Sequence, residues 1–232
     1  MGRPWTRGLA LVAVLLAASC DLPRDPEGTL ARVSGGTMRV GITENPPWVV
    51  LGDDGPSGVE VELVELFAEE VGAEVEWHDG SAEELAGALE MRELDLLVGG
   101  IVSTSGLAAH AALSHPYLTT QVVVGVPPGT ADEDIAGLEV AVETATEEAG
   151  VLDKTDAVPV RVDDVTEVDG PVVVDGYLLD DLGLDDTGVR LLETDHVMAV
   201  PHDENAWLVR LERFLLDHED EVVRILQQEG SA

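Results

Sequence analysis

Side chains able to hold a cation or to stack on a small molecule are the first chemistry visible in this sequence. Trp48 follows Pro46-Pro47, Glu44 and Asn45 precede them, and Asp175 ends the run Val172-Val173-Val174. An indole offers a flat apolar face, and a carboxylate leaving a buried strand is a ready partner for an amine. Each has a plainer reading. Trp48 could anchor its own loop, Asp175 could cap a following helix, and Glu44 could be a solvated acid.

Reactive chemistry finds less support. Gly-x-Ser-x-Gly is absent, and neither a phosphate-binding loop nor a dinucleotide glycine pattern follows the first strand. His78, His110, His115, His196, His202 and His218 are irregularly spaced, with no His-x-x-x-His pair. The acidic pairs Asp53-Asp54 and Asp180-Asp181 lack an EF-hand spacing. No metal and no cofactor are expected.

Charge narrows the partners. With 12 Lys and Arg against 47 Asp and Glu, the formal net charge is −35. Lys154 is the sole lysine. Such a field repels nucleic acid and anionic lipid. A solvated acidic surface explains it blandly; a preference for a cationic ligand is the sharper account.

The elements that must position these groups follow from periodicity. The N-terminus reads as an export signal over residues 1–20: Arg3 and Arg7 precede an apolar run from Leu9 to Ala18, then Ala17, Ala18 and Ser19 lead to Cys20. That run is about half of the roughly 20 residues a spanning helix needs. Cys20 is the only cysteine, so no intrachain disulfide forms. Residues 21–37, with two prolines and three glycines, read as a tether. Met38 to Ile42 alternates as a strand. Ser57 and Glu60 have the spacing of a capping box for a helix ending at Gly72, and Ser81 with Glu84 repeats it. Val75 to Trp77, Asp95 to Gly100, Gln121 to Val126, Leu138 to Val142, Val158 to Val162, Val172 to Val174 and His196 to Val200 read as strands. Thr146 to Leu152 reads as a helix, and Asn205 opens a last one with a stripe of Leu208, Leu211, Leu215, Val222 and Leu226. Strands alternating with helices mean an α/β architecture with parallel pairing.

The block Leu16-Ala17-Ala18-Ser19-Cys20 resembles the lipobox of bacterial lipoproteins, which implies lipidation of Cys20 and attachment to a membrane. Gly41 to Trp48, Gly58 to Gly72, Glu93 to Gly100, Ser114-His115-Pro116-Tyr117 and Asp134 to Glu143 resemble, in order, the amino-acid type of bacterial extracellular solute-binding proteins, family 3. The resemblance covers about residues 36–228. It implies a two-lobed α/β fold of the type II periplasmic binding kind, with lobe one at 38–120 plus 196–232 and lobe two at 121–195. The crossing strands would lie at 121–126 and around 196–200. It further implies export to the periplasm or the outer membrane face, a small-molecule ligand such as an amino acid or amine, an ABC permease as partner, and a monomer.

For the site, the resemblance implies ligand-binding roles for Glu44, Asn45, Trp48, Gly100, Ser103, Thr104, Thr146, Asp175 and Tyr177. Asp175 matches an ammonium-binding position, and Thr146 a hydroxyl at a helix N-terminus suited to an anion. Leu107 and Val102 stand where the family places the Arg and Thr that grip a carboxylate. Only Asp163 to Gly170 separates two strands where the family has a helix, so a shortened second lobe is expected. The chain is expected to be a binder and not an enzyme. A sensor or scaffold without transport, and an exported dehydratase using Glu44 and Asp175 as acids, are the alternatives.

Overall fold

The computed structural model describes residues 25–130 and 135–229. The export signal, Cys20 and Asp134 lie outside the described residues. In chain order the regular elements are α1 (Thr29–Val33), β1 (Thr37–Ile42), β2 (Val50–Gly52), β3 (Gly55–Ser57), α2 (Val59–Val71), β4 (Glu74–Asp79), α3 (Ala82–Glu90), β5 (Leu96–Val98), β6 (Ala112–Leu113) and β7 (Leu118–Val126). There follow β8 (Glu139–Glu143), α4 (Glu147–Leu152), β9 (Val158–Val162), β10 (Val172–Asp175), β11 (Asp185–His196), β12 (Ala199–Val200), α5 (Asn205–Asp217) and α6 (Glu219–Glu229).

Two sheets result. The first has the order β4-β1-β5-β12-β6, with β1 parallel to both β4 and β5. Met38, Val40 and Ile42 of β1 are buried, as a strand covered on its faces by helices requires. The α2 helix lays Val59, Leu63, Val64 and Phe67 inward, and Phe67 meets the rings of Trp207 and Phe214 at 5.1 and 5.0 Å. Gly72 ends it in the left-handed conformation, φ 69°. The second sheet has the order β11-β7-β10-β8-β9, where β8 is parallel to β9 and β10, and β7 is antiparallel to β10 and β11. Its Val122, Val124, Val140, Val142 and Val173 form a separate core. The only regular turn between β9 and β10 is one 3-10 turn at Val165–Glu167, so the second lobe is short, as expected.

The lobes are joined by a narrow ribbon. Val122 to Gly125 of β7 pair with β10, but Leu118 to Gln121 pair only with His196 to Glu193 of β11. Side chains clasp this stretch: Thr119 Oγ1 donates to Asp195 Oδ1 at 2.7 Å, and Gln121 Nε2 to Glu193 Oε1 at 2.9 Å.

Several expectations need correction. The return crossing is the end of the twelve-residue β11, Glu193 to His196; the expected segment around 196–200 meets it only at His196, and Ala199–Val200 is a separate strand of the first sheet. The acids of β11 and the register shifts between Asp186 and Leu192 hide the alternation. Ser57 caps nothing: the capping position before α2 is Gly58, φ 110°, and Glu60 turns into the core. The Ser81–Glu84 box does form, with Glu84 N donating to Ser81 Oγ at 3.3 Å. Asn205 is not the cap of the last helix, and that helix breaks in two at His218.

Residues 25–37 are not a free tether. Glu204, 1% exposed, accepts from the backbone N–H of Glu27 and Thr29, both at 3.2 Å, and from Arg92 at 2.9 Å. Val33 is fully buried, and Arg32 pairs with Asp95. Composition suggested a linker, but buried partners elsewhere in the chain tie the segment down.

Asp95 is the polar centre of this lobe. It is 1% exposed and accepts from Arg39 N at 3.0 Å, Arg39 Nε at 3.1 Å, Arg39 Nη2 at 2.8 Å and Arg32 Nη1 at 3.2 Å. Burial alone would raise its carboxyl, yet the two guanidiniums hold it below the ordinary value. Asp95→Ala removes the acceptor of these charge-assisted bonds and leaves the partly exposed Arg32 and Arg39 to water; it should cost about 1–3 kcal/mol. Urea unfolding measures this, and a loss within about 0.5 kcal/mol would refute the role.

Candidate functional site

A glycine turn at the carboxyl end of β5 sets up the first half of the site. Gly99 and Gly100 have φ of 144° and 67°, conformations that side-chain-bearing residues rarely adopt. A Cβ on Gly100 would stand 2.4 Å from Asn45 Nδ2 and 2.5 Å from Trp48 Cδ1. The turn is gripped from inside by Glu60. Its Oε2 accepts from Gly99 N at 2.6 Å and Gly100 N at 2.7 Å, and its Oε1 from the Tyr117 hydroxyl at 2.7 Å. Burial pushes the Glu60 carboxyl up, and these three donors oppose that push. Asn45 Nδ2 adds a bond to Gly99 O at 3.0 Å.

Behind the turn, Trp48 is 6% exposed and lies 4.0 Å, centroid to centroid, from His196. His196 ends β11, and its Nε2 is 3.0 Å from Thr120 Oγ1 in the joining ribbon. Past the turn, Ile101 O accepts from Val197 N and Ser103 N donates to Asp195 O, each at 2.9 Å. The turn is thereby stitched to the ribbon.

Two concavities flank this region. One, about 440 Å3, opens at the carboxyl ends of β1 and β5 and is walled by Thr43, Ala86, Leu97, Gly100, Val102 and Leu107. The other, about 270 Å3, opens at the carboxyl ends of β8 and β10 and includes Val122, Glu143, Thr146, Glu148, Val174 and Asp175. Crevices at the carboxyl ends of parallel strands are where open α/β sheets take ligands. Burial raises the Asp175 carboxyl above its ordinary value; the Tyr177 hydroxyl, at 3.4 Å, draws it back, and Glu148 raises it further.

The expected site residues are distributed as follows. Thr146 and Asp175 share the second concavity, and Gly100 belongs to the first. Asn45 and Trp48 brace Gly100, with the indole buried and not offered as a free stacking face. Glu44, Ser103 and Thr104 are exposed, the last two on the loop beside the first concavity. The Asp175 side chain makes no capping hydrogen bond to the turn after it. Tyr177 packs toward the first-lobe core and lines a third hollow beside Leu118 to Gln121. Thr146 already caps α4, accepting from Ala149 N at 3.2 Å, and Glu147 and Glu148 occupy that helix's first turn. An anion there meets like charge. Sequence reasoning did not single out Thr43, Glu143, Glu148 and Leu97, since nothing local marks a strand end as facing a crevice. Among the described residues no group of three or more His, Cys, Asp or Glu is placed to hold a metal ion, and no helix is long and apolar enough to cross a membrane.

Comparison with known proteins agrees with this geometry. The model of the bacterial extracellular solute-binding proteins, family 3, matches residues 38–228. Among curated proteins, the membrane-bound lytic murein transglycosylase F of Vibrio campbellii is 30% identical over 119 residues, 50% of this chain and 22% of that protein. Its Pseudomonas putida counterpart is 34% identical over 147 residues, 60% of this chain and 29% of that protein. The chain thus matches less than a third of these relatives' length. Among solved structures, the L-cystine solute receptor of Neisseria gonorrhoeae in its unliganded open conformation is similar, with a TM-score of 0.73 at 16% identity over 88% of this chain and 99% of that one. An ancestral cyclohexadienyl dehydratase is similar with a TM-score of 0.63 at 18% identity, over 82% and 90% of the two chains. At such identities the likeness is one of fold, and the fold is the two-lobed type II arrangement.

The histidine at the ribbon's end makes a prediction. Burial lowers His196 from 6.5 to about 4, and its Nδ1 has no hydrogen-bond partner among the described residues. Below pH 6.5 the unfolded chain binds a proton that the folded chain refuses until about pH 4. Stability contributed by the neutral ring is full above pH 6.5 and is lost as pH falls towards 4. The unfolding free energy of the parent relative to His196→Gln should therefore drop by about 3 kcal/mol between pH 7 and pH 4. A difference independent of pH would mean that the ring takes up its proton in the folded protein as readily as in the unfolded chain, so that burial does not hold it neutral.

Proposed function

We propose, since this chain belongs to the bacterial extracellular solute-binding proteins of family 3, that it works outside the cytoplasm as a membrane-attached receptor closing its two lobes around one small polar solute. The observation that carries the reading is the pair of strand-end concavities on either side of a ribbon four residue pairs long. A link that narrow lets the lobes rotate as bodies with few dihedral changes, the hinge motion by which such layouts enclose a ligand. We take the lobes as residues 38–120 plus 196–232 and residues 121–195, the solute as an amino acid or amine-like molecule, and the recipient as an ABC permease. Lipid on Cys20 would hold the receptor at the membrane, as a monomer. Glu44, Asn45, Trp48, Gly100, Ser103, Thr104, Thr146, Asp175 and Tyr177 are the residues assigned to this site, Trp48 and Asn45 acting through the glycine turn.

Binding without turnover is part of the proposal. A second reading has its own support. Relatives matched over 119 to 147 residues are named as murein transglycosylases of which this unit is less than a third. A binding unit that reports a solute to a membrane-associated process, without importing it, fits that observation.

Small-angle scattering and calorimetry on the full chain, against amino acids, polyamines and quaternary amines, test the receptor reading. At least one solute should bind at a one-to-one ratio and shrink the radius of gyration. A chain that neither binds nor contracts with any of them is not a solute receptor. Consumption of a bound solute would make it an enzyme. Uptake lost on deleting a membrane permease separates import from signalling.

A further inference from the structure

We infer that the solute is an organic cation with an apolar body and no carboxylate: the body lies in the first-lobe concavity beside Leu107, and its ammonium meets Asp175 in the second. The inference rests on the receptor reading above and sharpens it to a ligand class.

Topology sets one hollow at each end of the joining ribbon. The first lies at the carboxyl ends of β1 and β5, and the chain leaving β5 is stitched to the ribbon, where Val102 bridges His196. The second lies at the carboxyl ends of β8 and β10, and Asp175 at the end of β10 stands opposite Val122 of β7. His196 pairs with Leu118, so Val102 and Asp175 are set four β7 residues apart, roughly 13 Å along the strand. β11 and β7 also lie between them, about three strand spacings or 14 Å across the ribbon, so an aromatic or branched amine touches both hollows only after the rotation that closes the lobes.

The two hollows differ in chemistry. The larger is walled mainly by apolar side chains and glycine backbone, with Glu83 and His110 at its margin, and His110 faces Glu90 at 3.2 Å. The smaller carries three carboxylates, Glu143, Glu148 and Asp175, and the mutual repulsion of Glu148 and Asp175 is relieved by a cation. No arginine or lysine among the described residues lines either. Arg32, Arg39, Arg92, Arg161, Arg190 and Arg210 are each committed to a carboxylate elsewhere. The α4 N-terminus, a source of free N–H groups, is occupied by its Thr146 cap and two glutamates. A ligand carboxylate would be desolvated here without a counter-charge, which is prohibitive for a buried anion.

Matched pairs that differ only in the carboxylate decide the matter. Calorimetry and scattering on the full chain would compare phenylethylamine with phenylalanine, and isopentylamine with leucine. The amines should bind at least tenfold more tightly than their amino acids. Asp175→Asn should weaken the amines at least tenfold, and unchanged affinity would overturn the placement of the ammonium. Leu107→Arg puts a cation into the first hollow and should raise phenylalanine affinity at least tenfold. If that variant does not fold by circular dichroism, the matched pairs in the parent still decide. Amino acids bound as tightly as the amines, or closure around a neutral or anionic solute alone, would overturn the inference and leave the receptor standing. Absence of binding and closure with every solute would remove the receptor reading itself, and the inference with it.

Discussion

Four residue pairs, Leu118 to Gln121 against Glu193 to His196, are the constraint on which the rest of this molecule depends. Beyond them β7 gains β10 as a second neighbour and becomes the interior of a sheet. Within them it has one neighbour only. A two-stranded ribbon in water is marginal by itself and twists freely. Here its outer edges are clasped by Thr119 to Asp195 and Gln121 to Glu193, while Thr120 holds His196 against Trp48. The pairs keep the two strands in register, and the absence of further strands leaves them able to bend together.

The ribbon reaches the first lobe through a buried carboxylate. Glu60 occupies a core position in α2 that an apolar residue would fill at lower desolvation cost. What it does there is hold two successive backbone N–H groups of the Gly99-Gly100 turn, together with Tyr117 from the strand leading to the ribbon. A helix, a strand end and the approach to the ribbon are thereby referred to one side chain. The positive φ of both glycines and the close approach of Trp48 fit the same arrangement, since any side chain at Gly100 would collide with the indole. Asp95 plays the corresponding part on the far side of the sheet, tying α1 and β1 to the loop before β5.

Charge is organised rather than merely abundant. A chain of formal charge −35 has few cations to place, and three of them, Arg32, Arg39 and Arg92, answer the buried carboxylates Asp95 and Glu204. That leaves the strand-end hollows to apolar and acidic side chains. The surface acids repel polyanions; of the three acids lining the second concavity, Glu143 is exposed, and burial raises Asp175.

Much of the architecture was legible locally. The alternation of Met38 to Ile42, the stripe of α2 with Gly72 after it, the Ser81–Glu84 box and the Thr146 cap each follow from interactions between residues a few positions apart, and each formed. Asp175 and Gly100 were also marked by their neighbours, one ending a valine run and the other closing a glycine pair. Other features were decided at long range. Ser57 and Glu60 have the spacing of a cap, but the turn 39 and 40 residues downstream offers Glu60 two donors, and the core position wins. Residues 25–37 have a linker's composition, yet Glu204, 175 residues from Thr29, binds their backbone. The twelve-residue β11, rich in acids, is a strand because β7 supplies its partners. Sequence by itself determined the elements whose stabilising contacts are near neighbours; the tertiary structure alone decided the joining ribbon, the buried carboxylates and which side chains gather in each hollow, because each depends on groups brought together only when the sheets form.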